Sequence, residues 1–364
     1  MHKTSAWPLA LMCVGLICYA SLYPFSDWRY QGVVPWAFLS SPWPKYWTGF
    51  DVTTNLLGYM PLGFLLALSA LRSGRGHFAV MLATLVAGGL SLALESLQNY
   101  LPLRVPSNLD LGMNVLGAWL GALLAWGLEK LGVIARWSIF RARWFVPDAR
   151  GGLVLLALWP LALLFPAAVP FGLGQVLERL EAALAEGLDG TPWLDWLPVR
   201  DIELQPLVPG AELICVMLGL LIPCLLGYCI IRAAARRLLF ALLVFACGIG
   251  VTALSAALSY GPEHAWAWFS LPVKAGLVAA LVLALSLVGV PRRVSAALVL
   301  LALGIHLDLL NQAPASAYFA QTLSTWEQGR FIRFHGLAQW LGWLWPYAAL
   351  VYVLFRVWVR DTKN

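Results

Sequence analysis

Long apolar runs, broken at short intervals by basic clusters or polar turns, make up most of this 364-residue chain. Ten of them fall at 7–25, 52–71, 78–97, 111–128, 152–169, 211–231, 238–259, 273–290, 294–310 and 336–355. Each is close to the ~20 residues a helix needs to cross the hydrocarbon core of a bilayer. The pattern predicts an all-α, polytopic transmembrane helical bundle of about ten spans. The first run also has marks of a signal peptide, with Lys3 ahead of it and Cys18-Tyr19-Ala20 near its end. It is longer than a usual signal core and reads as an uncleaved anchor. Two stretches do not fit a span. Residues 173–188 place apolar side chains at helical spacing, with Glu178, Glu181 and Glu186 on the polar face. With Trp193 and Trp196 they predict an amphipathic helix on the outer surface, docked on lipid or on the protein's own helices. Residues 312–335 read as a polar and aromatic outer loop.

Composition supports this reading and narrows it. The chain is 61% hydrophobic and only 12% charged, with 19 tryptophans. Soluble domains carry about 25% charged residues, and tryptophan favours the membrane–water interface. The positive net charge does not imply nucleic acid, because the basic residues sit in short clusters between apolar runs. With ten spans, one set of loops and both termini carry 16 of the 24 Lys and Arg, including Arg72, Arg75, Arg136, Arg141, Arg143, Arg232, Arg236, Arg237, Arg292 and Arg293. Only Glu129, Asp148 and Asp361 are acidic on that side. That asymmetry places both termini in the cytoplasm and the protein in a bacterial inner (cytoplasmic) membrane. The cysteines Cys13, Cys18, Cys215, Cys224, Cys229 and Cys247 all lie in apolar runs without a CxxC pair, and read as small hydrophobes.

Ionisable groups are costly to desolvate at span ends, so those present there are candidate site residues. They gather at the outer ends of the second, third and fourth spans. Asp51 and Asn55 are four residues apart, Glu95 and Gln98 three, and Asp110 and Asn114 four, so each pair shares a helix face. Arg104 and Asn108 lie in the short connection 99–109. Asp51 and Asp110 also occupy first turns, where a carboxylate caps backbone N–H groups and suits the helix dipole. Glu95 lies near the far end of its helix, where the dipole disfavours an anion, so helix capping does not account for it and it needs a partner or a raised pKa. Arg104 is its expected partner, either as a structural staple or as part of a site.

These residues resemble a known family. Asp51-x-x-x-Asn55-Leu-Leu-Gly-Tyr-Met-Pro61-Leu-Gly63-Phe64, followed by Glu95-x-x-Gln98, Arg104, Asn108-x-Asp110 and Asn114-x-x-Gly117-Ala118-x-x-Gly121, is similar to the VanZ-like domain, named for a membrane protein associated with teicoplanin resistance. The resemblance covers residues 7–131 as a four-span domain. It leaves 150–358 as a C-terminal membrane domain of about six spans, carrying the outer amphipathic segment 173–196. It implies a cell-envelope role and carries Asp51, Asn55, Glu95, Gln98, Arg104, Asp110 and Asn114 over as site positions, without assigned chemistry. Gly117 and Gly121 form a small-xxx-small pair suited to close helix packing. Pro61 and Gly63 are expected to bend or loosen the second helix.

A second outer group comprises His306, Asp308 and Asn311, then Trp326, Glu327, Arg330, Arg333 and His335. Loop solvation and interfacial anchoring are its main expected roles. A metal site on His306, Asp308 and His335 lacks ligand-like spacing on one element. No phosphate-cradling loop, nucleophile motif or nucleic-acid stripe is present, and no cofactor or metal is expected.

Three functions remain in play. One is binding of a lipid-linked glycan or polyprenyl phosphate at the outer leaflet, with an influence on glycopeptide (teicoplanin) susceptibility. The substrate-binding set would be Asp51, Asn55, Glu95, Gln98, Arg104, Asn108, Asp110 and Asn114. The second is an enzyme transferring or hydrolysing a group on such a lipid, with Glu95 as acid or base. The third is a transporter or flippase, against which the polar groups lie at span ends and not at mid-membrane.

Overall fold

A computed structural model describes residues 6–23, 25–44, 47–74, 76–165, 167–194, 204–314 and 332–358. Backbone contacts divide the chain into two units, Met1–Ala142 and Arg143–Asn364. The described residues are α-helical and contain no strand. Among the described residues, eight helices are long and apolar enough to cross a membrane, which makes this a multi-pass membrane protein.

Unit 1 contains α1 (Ala6–Leu22), α2 (Gly49–Arg72), α3 (Ala79–Gln98), α4 (Asn108–Lys130) and all but the last two residues of α5 (Val133–Trp144). Thr48 starts α2 with a capping box: its hydroxyl accepts from Asp51 N–H at 3.2 Å, and the Asp51 carboxylate accepts from Thr48 N–H at 3.1 Å. The helix runs on through Pro61 and ends before Gly74, whose φ is +79°. Ser107 caps α4. The core between α2, α3 and α4 consists largely of small side chains, among them Ala67, Ala83, Ala87, Ala118, Ala122 and Ala125. Lipid gives apolar helices no hydrophobic reason to associate, so close backbone approach has to supply the packing. A Cβ on Gly117 would run into the Leu56 carbonyl, one on Gly121 into that of Met60, and one on Gly63 into that of Ala118. Gly63 is therefore a contact point between α2 and α4. The α5 segment, read as loop from its basic residues, forms a short helix, with Arg72 donating to Ser138 Oγ at 3.1 Å.

Unit 2 contains α6 (Arg150–Ala162), α7 (Leu177–Gly187), α8 (Pro209–Ile230), α9 (Ala234–Tyr260), α10 (Leu271–Ser286), α11 (Arg292–Asn311) and α12 (Ile332–Trp358). Helix α8 is its hub, packed against α6, α9, α10 and α11 and buried almost throughout from Cys215 to Ile230. A helix apolar on every side is suited to such a position. Two predicted spans come out short. α1 has 17 residues and α6 has 13, so α6 rises only about 20 Å before giving way to turns. Pro160, Pro166 and Pro170 punctuate that stretch and remove amide donors from it. The amphipathic segment forms α7. Its N-terminal end is held by Asn311 of α11, whose Oδ1 accepts from Val176 N–H at 3.1 Å and Leu177 N–H at 3.0 Å. Only its start is thus tied to the unit's own helices, and Leu177, Leu180 and Leu184 of its apolar face stay exposed. Trp196, Trp326, Glu327 and Arg330 lie outside the described residues, as do the side chains of Arg333 and His335.

Candidate functional site

On α3, Ser91, Glu95 and Gln98 follow at i, i+4 and i+7, so they share one face, and all three are buried. That face meets Tyr59 of α2 and Asn114 of α4, both buried as well. Asn114 Nδ2 donates to Ser91 Oγ at 3.0 Å, and Ser91 also hydrogen-bonds the Tyr59 hydroxyl. Glu95 is 5% exposed and Asn114 4%. Among the described residues, Asn114 Oδ1 has no hydrogen-bond partner. An unsatisfied buried acceptor costs about 1–3 kcal/mol, so a donor supplied from outside would be well placed here.

Glu95 has a local explanation that its own helix does not offer. Its Oε2 accepts from Ser107 N–H at 3.0 Å. Ser107 is the N-cap of α4, and its hydroxyl accepts from Leu109 N–H at 3.1 Å. In a capping box, the residue three positions on would take the N-cap amide. Here a carboxylate from the neighbouring helix takes it, and so stands at the positive end of the α4 dipole. The expectation that capping cannot account for Glu95 therefore fails, because it considered only the helix that carries the residue.

Arg104 is directed toward α1. Its Nε donates to Tyr23 O at 3.0 Å, and its Nη2 donates to Ala20 O at 3.0 Å and Tyr23 O at 2.6 Å. A cation on the last carbonyls of α1 suits that helix end. Arg104 and Asp110 both stand near enough to Glu95 for their charges to act on it. Gln98 also reaches α1, donating to Ser21 O at 3.0 Å.

The remaining expected residues are more open. Asp51 is exposed in its capping box, while Asn55, Asn108 and Asp110 are half-buried. Asn108 Nδ2 donates to Ser41 O at 2.6 Å. The α1–α2 connection lies along the α3–α4 loop. Arg29 N–H donates to Tyr100 O at 2.9 Å, Gln31 to Asn99 O at 2.8 Å, and Asn99 Nδ2 to Pro35 O at 2.6 Å. Tyr59, Ser91 and Ser107 escaped the sequence reading. Ser91 could have been found from its i−4 spacing to Glu95.

The second outer group separates into unlike parts. His306 is buried, with its ring against the Leu173 and Cys215 backbones, whereas Asp308 is exposed and accepts from Gln312 at 3.1 Å. Asn311 is a cap for α7. His306 and Asp308 therefore present to different surroundings. No metal-holding cluster of His, Cys, Asp or Glu occurs among the described residues.

The helices define a multi-pass membrane protein whose first unit carries a buried polar face inside its packed helices. Residues 7–134 match the family model described as VanZ/LLP1, in agreement with the resemblance read from Asp51, Glu95, Asn114 and their neighbours. Unit 2 lies wholly beyond the matched residues. No curated protein and no solved structure gives a significant match.

Proposed function

We propose that this protein works in the bacterial cytoplasmic membrane, where unit 1 binds a lipid-linked glycan of the cell envelope at the outer leaflet. The observation that carries the reading is the buried polar face of Ser91, Glu95 and Asn114, with Asn114 Oδ1 unpartnered among the described residues. Unpaired acceptor capacity beside a carboxylate calls for a ligand that brings donors, and sugar hydroxyls do so. Asn55, Asn108, Asp110 and Asp51 would form the rim, and Tyr59 the wall. Arg104 directs three hydrogen bonds to Ala20 and Tyr23 at the end of α1, which favours the glycan over a bare polyprenyl phosphate as the group bound here. Termini in the cytoplasm and the polar rim on the outer side follow from the charge asymmetry of the loops. An effect on glycopeptide susceptibility would arise if the bound glycan belongs to the precursor those antibiotics recognise.

The test is native mass spectrometry of the full-length protein released from detergent, compared with Asn114→Leu. The wild type should carry a glycolipid mass. Asn114→Leu should lose it while melting at a similar temperature, because the change removes an unsatisfied acceptor as well as one hydrogen bond. A wild type that carries only ordinary phospholipid, or a folded Asn114→Leu that keeps the glycolipid, defeats the proposal.

A further inference from the structure

Unit 2 holds a small cavity where the end of α6, the turn before α7, the first turn of α7 and the start of the apolar part of α12 meet. Phe165 and Leu173 contribute apolar wall, and Arg179, Gln339 and Trp343 the rest of the character. Gln339 and Trp343 are one turn apart on α12. Gln339 is 9% exposed, and among the described residues its Nε2 donor has no hydrogen-bond partner. The Arg179 guanidinium lies over the Trp343 ring, 4.9 Å from its centroid. Burial pushes the Arg179 pKa down from its ordinary value, and Glu178 beside it acts the other way. Arginine nevertheless stays charged.

Two carbonyls of this region serve the fold. Gly174 O takes Asn311 Nδ2 and Tyr347 OH, each at 3.2 Å, and Val169 O takes Gly172 N–H at 2.8 Å. The cavity presents a buried amide donor from Gln339 and the guanidinium side chain of Arg179, against an apolar wall. That combination suits an oxyanion attached to something apolar. Depth points the same way. Gln339 is the second residue of the apolar window Ala338–Val357 of α12, and the amphipathic α7 lies beside it, which is the level of lipid headgroups. The cavity is about 30 Å³, room for roughly two water molecules. It admits the oxygens of one phosphoryl group and not a sugar ring.

We propose that this cavity binds the phosphate oxygens of a membrane amphiphile, with Gln339 Nε2 as donor, Arg179 as counter-charge and Trp343 holding the guanidinium in place. The site lies in unit 2 and stands independently of the glycan reading for unit 1. Free phosphate shares the chemistry, and the experiment separates the two sources.

Delipidated full-length protein in detergent is titrated with dioleoylphosphatidylglycerol, with dioleoylglycerol as the phosphate-free control, and with inorganic phosphate. Bound lipid is read by native mass spectrometry and stability by thermal unfolding. Phosphatidylglycerol should bind and raise the melting temperature, and dioleoylglycerol should do neither. Gln339→Leu should weaken phosphatidylglycerol binding at least ~10-fold without lowering the melting temperature of the lipid-free protein, since an unpaired donor contributes no bond there. Gln339→Glu, of the same shape, should abolish binding by like-charge repulsion, and answers the question if the leucine variant does not fold. Inorganic phosphate that stabilises the wild type as much as phosphatidylglycerol does, but not Gln339→Glu, overturns the amphiphile as the source. Equal binding of dioleoylglycerol, or phosphatidylglycerol binding unchanged in a folded Gln339→Glu, overturns the site.

Discussion

Glu95 distinguishes a capping carboxylate from a salt-bridge partner of Arg104, and a double-mutant cycle separates them. Its Oε2 takes the Ser107 amide at 3.0 Å, while three Arg104 hydrogen bonds go to Ala20 and Tyr23. Glu95→Gln keeps an acceptor oxygen for Ser107 and removes the charge. The loss is the dipole interaction, about 0.3–1 kcal/mol, offset by the relief of burying a neutral group. The expected cost is below about 1 kcal/mol. Glu95→Leu removes the acceptor and orphans the Ser107 N–H, which adds about 1–3 kcal/mol. Arg104→Gln should cost at least about 2 kcal/mol by itself, through the carbonyls at the end of α1. If Glu95 and Arg104 act through separate helices, Glu95→Gln combined with Arg104→Gln should be additive to within about 1 kcal/mol. Equilibrium unfolding of the purified protein in mixed micelles supplies the four values. A buried ion pair predicts instead that breaking either partner costs about 3–5 kcal/mol and that the double variant recovers much of it. A coupling of that size, or equal costs for Glu95→Gln and Glu95→Leu, would refute the capping account.

Three other outcomes are expected. Gly121→Ala should destabilise unit 1 by about 1–3 kcal/mol or more, because its Cβ meets the Met60 carbonyl, whereas Gly58→Ala, with nothing within 4 Å, should be neutral or stabilising; thermal unfolding of the two variants side by side checks this. Asn311→Leu removes the acceptor for Val176 and Leu177 N–H and should open the start of α7, read as faster limited proteolysis near residue 180 while α8 to α11 remain intact. Cysteine labelling in intact cells, on a background free of native cysteines, should reach position 186 from outside and positions 74 and 235 only after permeabilisation; the reverse pattern overturns the orientation inferred from loop charge.

The parts of this molecule legible in the sequence are those set by local rules. Apolar length predicted α2, α3, α4 and α8 to α12 to within a few residues at most boundaries. Thr48-x-x-Asp51 carries the capping-box spacing, and the structure places Asp51 in that box. Gly117-x-x-x-Gly121 announced a close helix contact, although its partners Leu56 and Met60 were not readable from α4 alone. What escaped depends on which helix meets which. The assignment of Arg104 to α1, of Asn311 to α7 and of Glu95 to Ser107 crosses between elements, and spacing along one helix cannot supply it. Ser91 and Tyr59 were hidden for a different reason. Each is a small or amphipathic residue in an apolar run, and it becomes significant only when a second polar side chain from another helix is buried against it.

The trans-capping contact also bears on how unit 1 can hold a ligand. A carboxylate offers about four acceptor sites, and the Ser107 amide occupies one of them. Capping therefore fixes the orientation of Glu95 without exhausting it. The same contact ties the end of α3 to the start of α4, and Gln98 and Arg104 tie that junction to the end of α1. Asn114 enters the polar face from the first turns of α4, so a shift of the α4 N-terminus would move its unpartnered Oδ1 together with the acceptors of Glu95. A binding face assembled from three helices is held rigid in this way by bonds that look purely structural. It follows that loss of binding in Glu95→Leu would not by itself show that Glu95 touches the ligand, since the variant also releases α4. Asn114→Leu removes a polar face without touching the cap, and is the variant whose binding defect can be assigned to the ligand.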